Sequence, residues 1–180
     1  DKFDICITNP PYMGRNNMSY TLTKFLKSKF KNTSADLSTV FMEICLRYCN
    51  TNGYISMINI PSWMFLSTYS NLRYNIITNH TINNMIHLGR GVFGSDFGTT
   101  SFVLGKRYIS NYKAQYRKLF FKSGEVDSIE QKKKWFNQGI NIFYKNQREF
   151  KFLKGYIICY WASDKIIKSF KNNKLEQYTE

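Results

Sequence analysis

The sequence has few of the residues that build metal centres and disulfide frameworks. It contains two histidines and four cysteines, and no two cysteines form a Cys-x-x-Cys pair. A zinc site is therefore not expected, and we assign no metal ligands. Cys45 and Cys49 lie one helical turn apart, a spacing typical of small apolar side chains on a buried helix face in a reducing compartment.

Long apolar runs and targeting segments are also missing. No run of 18 apolar residues occurs, so a membrane span is not expected. No signal-peptide pattern precedes the first apolar segment. We therefore expect a cytoplasmic protein that has no membrane partner.

The composition is otherwise that of a basic globular protein. Hydrophobic residues make up 43% of the 180 residues, and the formal net charge is +14. This charge favours an anionic partner, with nucleic acid ahead of a membrane surface, although a solvated lysine-rich surface gives the same count. Because Asp1 is not an initiator methionine and only three residues precede the first apolar run, we expect a fragment of a longer chain.

The apolar periodicity predicts strands alternating with helices. The alternation favours an α/β protein with a mostly parallel sheet whose last two strands form an antiparallel hairpin, and the first strand is expected to be buried. Residues 122–134 are expected to form a charged surface excursion in which Lys132, Lys133 and Lys134 are solvated or contact phosphate. The predicted strands cover residues 4–8, 54–60, 82–88 and 99–108, with one or two short strands in 138–152. The predicted helices cover residues 37–48, closed by a stop at Gly53, 68–79 and 164–170.

The most informative segment is Asn9-Pro10-Pro11-Tyr12, directly after the first strand. Two prolines cannot donate to a sheet ladder, so the strand must end before them. Proline also holds the preceding residue extended, which makes the loop stiff. The loop presents an amide side chain, a free carbonyl and an aromatic ring at the carboxyl end of a strand, where α/β sheets bind ligands.

This segment resembles the methyl-acceptor motif of S-adenosylmethionine-dependent amino-methyltransferases. The resemblance implies that Asn9, Pro10, Pro11 and Tyr12 are catalytic. The Asn9 side-chain oxygen and the Pro10 carbonyl would accept hydrogen bonds from the two N–H groups of an adenine amine. Tyr12 would stack on the base. Asn9 and Pro10 would also border the cofactor, S-adenosyl-L-methionine.

Two further aromatic residues fall on positions of the same family pattern. Asp36-Leu-Ser-Thr-Val-Phe41 resembles the next family motif, which implies that Phe41 packs on the adenine of the cofactor; a plain core phenylalanine is the alternative. Phe93 lies where the family places a second aromatic against the flipped base, with a loop anchor as the alternative. The glycines around Phe93 do not form a phosphate-binding P-loop.

Five segments carry a closer resemblance, namely residues 9–14, 62–66, 87–89, 99–104 and 160–163. They resemble the PglX family, the adenine-specific methyltransferases of BREX phage-defence systems. This resemblance implies the C-terminal half of a Rossmann-like class I methyltransferase fold and adenine N6 methylation (EC 2.1.1.72) of double-stranded DNA with a flipped adenine. Other BREX or restriction-system proteins are possible partners. Type IIG restriction enzymes share the core. RNA and release-factor glutamine methyltransferases also use Asn-Pro-Pro-Tyr and are a second enzyme alternative, and a non-catalytic DNA-binding scaffold is a third.

The resemblance also divides the chain. Residues 1–110 would be the second half of the catalytic domain, 111–155 a family-specific extension and 156–180 the start of a linker to a target-recognition domain. The glycine-containing cofactor motif of the family is absent, so the 180 residues alone are expected to bind the cofactor weakly and to be inactive. The candidate DNA contacts are Arg15, Lys24, Lys27 and Arg90, with a solvated surface as the alternative.

Overall fold

The computed structural model describes residues 1–93 and 97–171 and arranges them around a six-stranded sheet. The strands are β1 (Phe3–Thr8), β2 (Cys49–Asn59), β3 (Thr81–Gly89), β4 (Thr99–Gly105), β5 (Lys113–Lys118) and β6 (Ile142–Asn146). The helices are α1 (Tyr20–Lys29), α2 (Leu37–Tyr48), α3 (Ser70–Asn79), α4 (Ile129–Asn137) and α5 (Asp164–Lys171). Short 3₁₀ turns cover Arg15–Asn17, Pro61–Met64, Ser67–Tyr69, Gln147–Phe152 and Lys154–Tyr156.

The sheet is mixed, with the order β1-β2-β4-β3-β5-β6. β1 pairs parallel with β2, and β3 pairs parallel with β5. β4 lies antiparallel between β2 and β3, and β6 is antiparallel to β5. Four of the six strands thus run the same way, which confirms the predicted mostly parallel sheet and its antiparallel β3–β4 pair.

The expectation that the first strand is buried is wrong for β1. Its side chains Phe3, Ile5 and Ile7 are 55%, 62% and 74% exposed. β1 lies at one end of the strand order and pairs only with β2 within the described residues. A run of β-branched apolar residues favours a buried strand, but it does not show which neighbours will cover that strand.

The predicted stop at Gly53 is also wrong, because the chain passes through this residue in extended conformation. α2 ends at Tyr48, and β2 starts at once with Cys49. A Cβ atom on Gly53 would lie 2.5 Å from the carbonyl oxygen of Asp4 on β1. Glycine is needed here for the close approach of two strands rather than for ending a helix.

The segment after residue 110 joins the same sheet. The short strand expected within 138–152 is present as β6, whereas β5 was not predicted. Lys132 was expected to be solvated or to contact phosphate, but it is buried on α4. Its Nζ donates to the Leu119 carbonyl at 3.0 Å and approaches Asp127 Oδ2 at 3.4 Å, so its charge is paired and two of its three N–H donors have partners inside the protein.

The main core lies between the sheet and helices α2 and α3. Fully buried aromatic side chains from both halves of the chain meet there, including Trp63, Phe102, Tyr116, Phe150 and Tyr160. Tyr116 and Tyr160 stack with nearly parallel rings 5.0 Å apart. The residues after 110 therefore complete the core that the earlier strands begin.

Candidate active site

The Asn9-Pro10-Pro11-Tyr12 loop follows β1 directly, as the prolines require. Asn9 is exposed, whereas Pro10 is buried and Tyr12 is half-buried. Within the described residues, no hydrogen bond reaches the Pro10 carbonyl oxygen. The loop therefore holds a rigid backbone and leaves two acceptor oxygens, on Asn9 and on Pro10, with capacity for further hydrogen bonds.

Tyr12 connects this loop to its surroundings. Its hydroxyl donates to Asn9 Oδ1 at 2.7 Å and lies 3.3 Å from the carbonyl oxygen of Ile58 near the end of β2. Its ring meets Phe97 edge to face, with the centroids 5.5 Å apart and the planes at 90°. Burial raises the pKa of the Tyr12 hydroxyl above its ordinary value, so the group stays a neutral donor at physiological pH.

The chain after the loop is fastened to the start of α2. The Leu37 amide donates to the Met13 carbonyl and the Arg15 amide donates to the Ala35 carbonyl, both at 3.0 Å. Asp36 caps α2 by accepting from the Ser38 amide at 2.8 Å, which confirms the predicted helix start. The loop of residues 9–12, called the acceptor loop for its two acceptor oxygens, is thus tied through Met13 and Arg15 to the first turn of α2.

Asn59, which contacts the first turn of α2, is a residue that the sequence did not single out. It is fully buried at the end of β2, and its Nδ2 donates to the Ser38 carbonyl at 3.3 Å. The Thr100 hydroxyl on β4 donates to the Asn59 carbonyl at 3.2 Å. An asparagine immediately before Ile60 and Pro61, at the end of an apolar strand, was the available sequence signal.

The two predicted aromatic positions differ in their surroundings. Phe41 is half-buried on α2, where it packs against the main core and also lines a groove of about 580 Å³ between α1 and α2. Phe93 is 49% exposed, and within the described residues it forms no ring pair with Tyr12. The described aromatic ring that does contact Tyr12 is that of Phe97. The predicted roles of Phe41 and Phe93 stay predictions.

The four candidate DNA contacts differ in their exposure. Arg15, Lys24 and Lys27 are exposed, and Arg15 lines a polar cleft of about 400 Å³ beside the acceptor loop. Arg90 is half-buried, and its guanidinium donates to the Gly124 carbonyl at 3.2 Å. Part of the glycine-rich loop after Arg90, residues 94–96, lies outside the described residues.

Two segments that carried the sequence resemblance pack on each other. His87 on β3 and Tyr160 are buried, and His87 Nδ1 lies 3.1 Å from the Tyr160 hydroxyl. Burial, and then the charges of Lys118 and Lys132, lower the pKa of His87 to about 4. His87 is therefore a neutral core residue, and its contact joins β3 to the C-terminal part of the chain.

A metal centre and a membrane span are both absent from the described residues. Within residues 1–93 and 97–171, no group of three or more histidine, cysteine, aspartate or glutamate side chains is arranged to hold a metal ion. In the part of the chain that the structure describes, no helix is both long and apolar enough to cross a membrane.

This sheet, with one antiparallel strand inserted between parallel ones and a proline loop at the end of β1, is the fold of class I S-adenosylmethionine-dependent methyltransferases. A type I restriction-modification methyltransferase subunit from Streptococcus thermophilus shares it with a TM-score of 0.57 and 13% identity, over 87% of this chain and 37% of that one. Within this class, the chain belongs to the Eco57I restriction-modification methylase family, whose family model matches residues 1–93.

Curated relatives are similar over nearly the whole chain. The adenine-specific methyltransferase BrxX of Escherichia coli O9:H4 (strain HS) is 35% identical over 174 residues, which cover 94% of this chain. The adenine-specific methyltransferase PglX of Lacticaseibacillus casei (strain Zhang) is 35% identical over 174 residues, 91% of this chain. These relatives confirm the resemblance to the PglX family, and the chain spans 14% of the length of each.

Proposed function

We propose that the chain is the acceptor-binding part of a site-specific DNA adenine N6-methyltransferase that acts in phage defence. The observation that carries the proposal is the pair of acceptor oxygens, Asn9 Oδ1 and the Pro10 carbonyl, on a proline-stiffened loop beside Tyr12. The names of the relatives, adenine-specific methyltransferases BrxX and PglX, support the same reaction.

The chemistry follows from the weakness of the nucleophile. The lone pair of the adenine amine is delocalised into the ring, so the nitrogen attacks poorly. Asn9 Oδ1 and the Pro10 carbonyl would each accept a hydrogen bond from one N–H group of the amine, which localises the lone pair on the nitrogen. The proton leaves after the nitrogen has been methylated, so the loop acts by electrostatic preorganisation and needs no strong base.

The target base must leave the duplex to reach this loop, which costs a few kcal/mol. The half-buried Tyr12 ring offers a face for stacking, and Phe97 packs against that ring with its plane perpendicular. Arg15, Lys24 and Lys27 are the exposed cations that we assign to phosphate contacts on the flanking DNA. Arg90 is a weaker candidate, since its guanidinium already donates to a backbone carbonyl.

S-adenosyl-L-methionine, when bound, supplies the electrophilic methyl group. The exposed part of Phe41 and the apolar groove beside it fit one face of an adenine ring, and Asn9 and Pro10 would border the methyl group. None of the described side chains that line the groove is a carboxylate, the group that the family uses on the ribose. We therefore assign the remaining cofactor contacts to residues of the full-length protein outside these 180.

We divide the chain into a catalytic part (1–110), an extension (111–155) and the start of a linker (156–180). We assign the full-length protein to a BREX system; the alternative is the methyltransferase and specificity part of a type IIG enzyme. A scaffold that has lost turnover is disfavoured, since Asn9 and Tyr12 are both present and hydrogen-bonded to each other.

The test uses the full-length protein and labelled S-adenosylmethionine. Unmethylated host DNA, RNA and a release factor are offered in parallel, and we expect the label on N6 of adenine in DNA. Asn9→Ala should lower transfer at least a hundredfold while duplex binding persists. Asn52→Ala, a change of an exposed asparagine in the first half of β2, is the matched control. Unchanged methylation by Asn9→Ala would refute the acceptor role.

A further inference from the structure

The hydroxyl of Tyr12 makes a contact that base stacking alone does not require. It lies 2.7 Å from Asn9 Oδ1, the distance of a well-formed O–H···O hydrogen bond. Stacking uses the face of the ring, and a phenylalanine would present the same face. The hydroxyl therefore has a separate partner, the carboxamide that the proposed reaction depends on.

The orientation of that carboxamide decides whether Asn9 can act. The two ends of the group have nearly the same shape, but the oxygen accepts hydrogen bonds whereas the NH₂ group donates them. A carboxamide turned by 180° would point two donors at an adenine amine and repel it. Within residues 1–93 and 97–171, no acceptor binds Asn9 Nδ2, so the contact with Tyr12 is the one that distinguishes the two orientations there.

The single proton of the hydroxyl has two candidate acceptors. Asn9 Oδ1 is at 2.7 Å, and the Ile58 carbonyl oxygen is at 3.3 Å, beyond the usual O–H···O range. The shorter bond takes the proton, which places the oxygen of the carboxamide, rather than its NH₂ group, against Tyr12. Since an amide oxygen has two lone pairs, one remains for the N–H of the substrate.

The ring that carries the hydroxyl is itself held in place. Phe97 packs against it edge to face, and the Ile58 carbonyl lies beside the hydroxyl at the end of β2. The adjacent Pro11 limits the movement of the backbone. The hydroxyl is thus fixed relative to the loop, which a group that orients another side chain must be.

We propose that the Tyr12 hydroxyl is a positioning group, which holds the Asn9 carboxamide with its oxygen toward the amine of the target base. The inference rests on the proposed function and adds to Tyr12 a role that is separate from stacking. Tyr12→Phe keeps the stacking face and removes only the hydroxyl. Tyr74→Phe, which removes an exposed hydroxyl on α3, is the matched control.

The experiment measures single-turnover methyl transfer by the full-length protein at saturating DNA and S-adenosylmethionine. Tyr12→Phe should lower the rate constant about three- to tenfold, the loss of one oriented hydrogen bond. The dissociation constants for DNA and for S-adenosylmethionine should change less than about twofold, because the ring remains. Tyr74→Phe should leave all three values unchanged.

A second background tests whether the hydroxyl acts through the carboxamide. Asn9→Asp replaces the amide with a carboxylate, whose two oxygens both accept, so no orientation has to be selected. Adding Tyr12→Phe to Asn9→Asp should therefore change the rate less than about twofold. An equal loss in both backgrounds, or no loss with Asn9 in place, would overturn the positioning role while leaving methyl transfer by the wild type intact. A wild-type protein that transfers no label to DNA would refute the proposed function and this inference with it.

Discussion

The sequence and the structure point to different aromatic side chains as the support for the target base. The sequence pattern favours Phe93, whereas the structure brings Phe97 to the ring of Tyr12. Both side chains are partly exposed, at 44% for Phe97 and 49% for Phe93, so truncation of either should leave the fold intact. Comparing the two truncated variants therefore distinguishes a role at the acceptor site from the general effect of losing a surface aromatic side chain.

The expected size of the effect follows from the ring geometry. A centroid distance of 5.5 Å with perpendicular planes is a favourable edge-to-face contact. Such pairs contribute about 0.5–1.5 kcal/mol, which corresponds to about a two- to tenfold change in rate. Phe97→Ala should lower kcat/KM for DNA by that factor, because Tyr12 would lose the support that holds its stacking face.

The assay is methyl transfer to a DNA duplex by the full-length protein, with Phe93→Ala as the matched variant. We expect Phe93→Ala to change kcat/KM less than twofold, about 0.4 kcal/mol. A tenfold loss with Phe93→Ala and none with Phe97→Ala would refute the structural assignment and support the position inferred from the sequence. Equal losses would show that the Tyr12–Phe97 contact has no particular role.

Three further outcomes follow from the structure. Arg73→Met should destabilise α3 by about 2–4 kcal/mol in hydrogen-exchange measurements, because three backbone carbonyls lose their buried donor; a protection unchanged from the wild type would contradict this. Because the folded protein holds the pKa of His87 at about 4, below the ordinary 6.5, stability is full above pH 6.5 and falls toward pH 4. The loss between pH 7 and pH 5 should be about 2 kcal/mol in the corrected exchange protection of β3 and should shrink in His87→Phe. Residues 1–180 alone should bind S-adenosylmethionine far more weakly than the full-length protein, and micromolar binding by calorimetry would overturn the assignment of the missing contacts.

Features with a local physical cause could be predicted from the sequence. The end of β1 before Pro10 and the start of α2 at Asp36 depend on residues within a few positions, namely prolines that cannot donate and an aspartate that caps a helix. The mostly parallel sheet followed from the alternation of periodic segments. These are the parts of the candidate site that the sequence located correctly.

Features that depend on distant neighbours could not be predicted in the same way. Lys132 looked like a surface cation, yet inside the protein its charge is paired with the Asp127 carboxylate and its ammonium donates to the Leu119 carbonyl. Phe97 is four residues from Phe93, and nothing local in the sequence distinguishes the ring that meets Tyr12 from the one that does not. Gly53 looked like a helix stop, whereas the approach of β1 fixes its identity.

Residues after 110 make buried hydrogen bonds with the first part of the chain. Gln147 closes the end of α3: its Nε2 donates to the carbonyls of Ile77 and His80, and its Oε1 accepts from the Ile82 amide. Arg73 joins the turn after β2 to the Gly155 carbonyl. Removing the residues after 110 would leave these buried groups without partners, each at a cost of about 1–3 kcal/mol, and would also uncover the apolar core. Because the turn after β2 follows the strand end that contacts the Tyr12 hydroxyl, residues 111–155 should stabilise the Asn9–Tyr12 loop, and methyl transfer by the full-length protein should depend on these contacts.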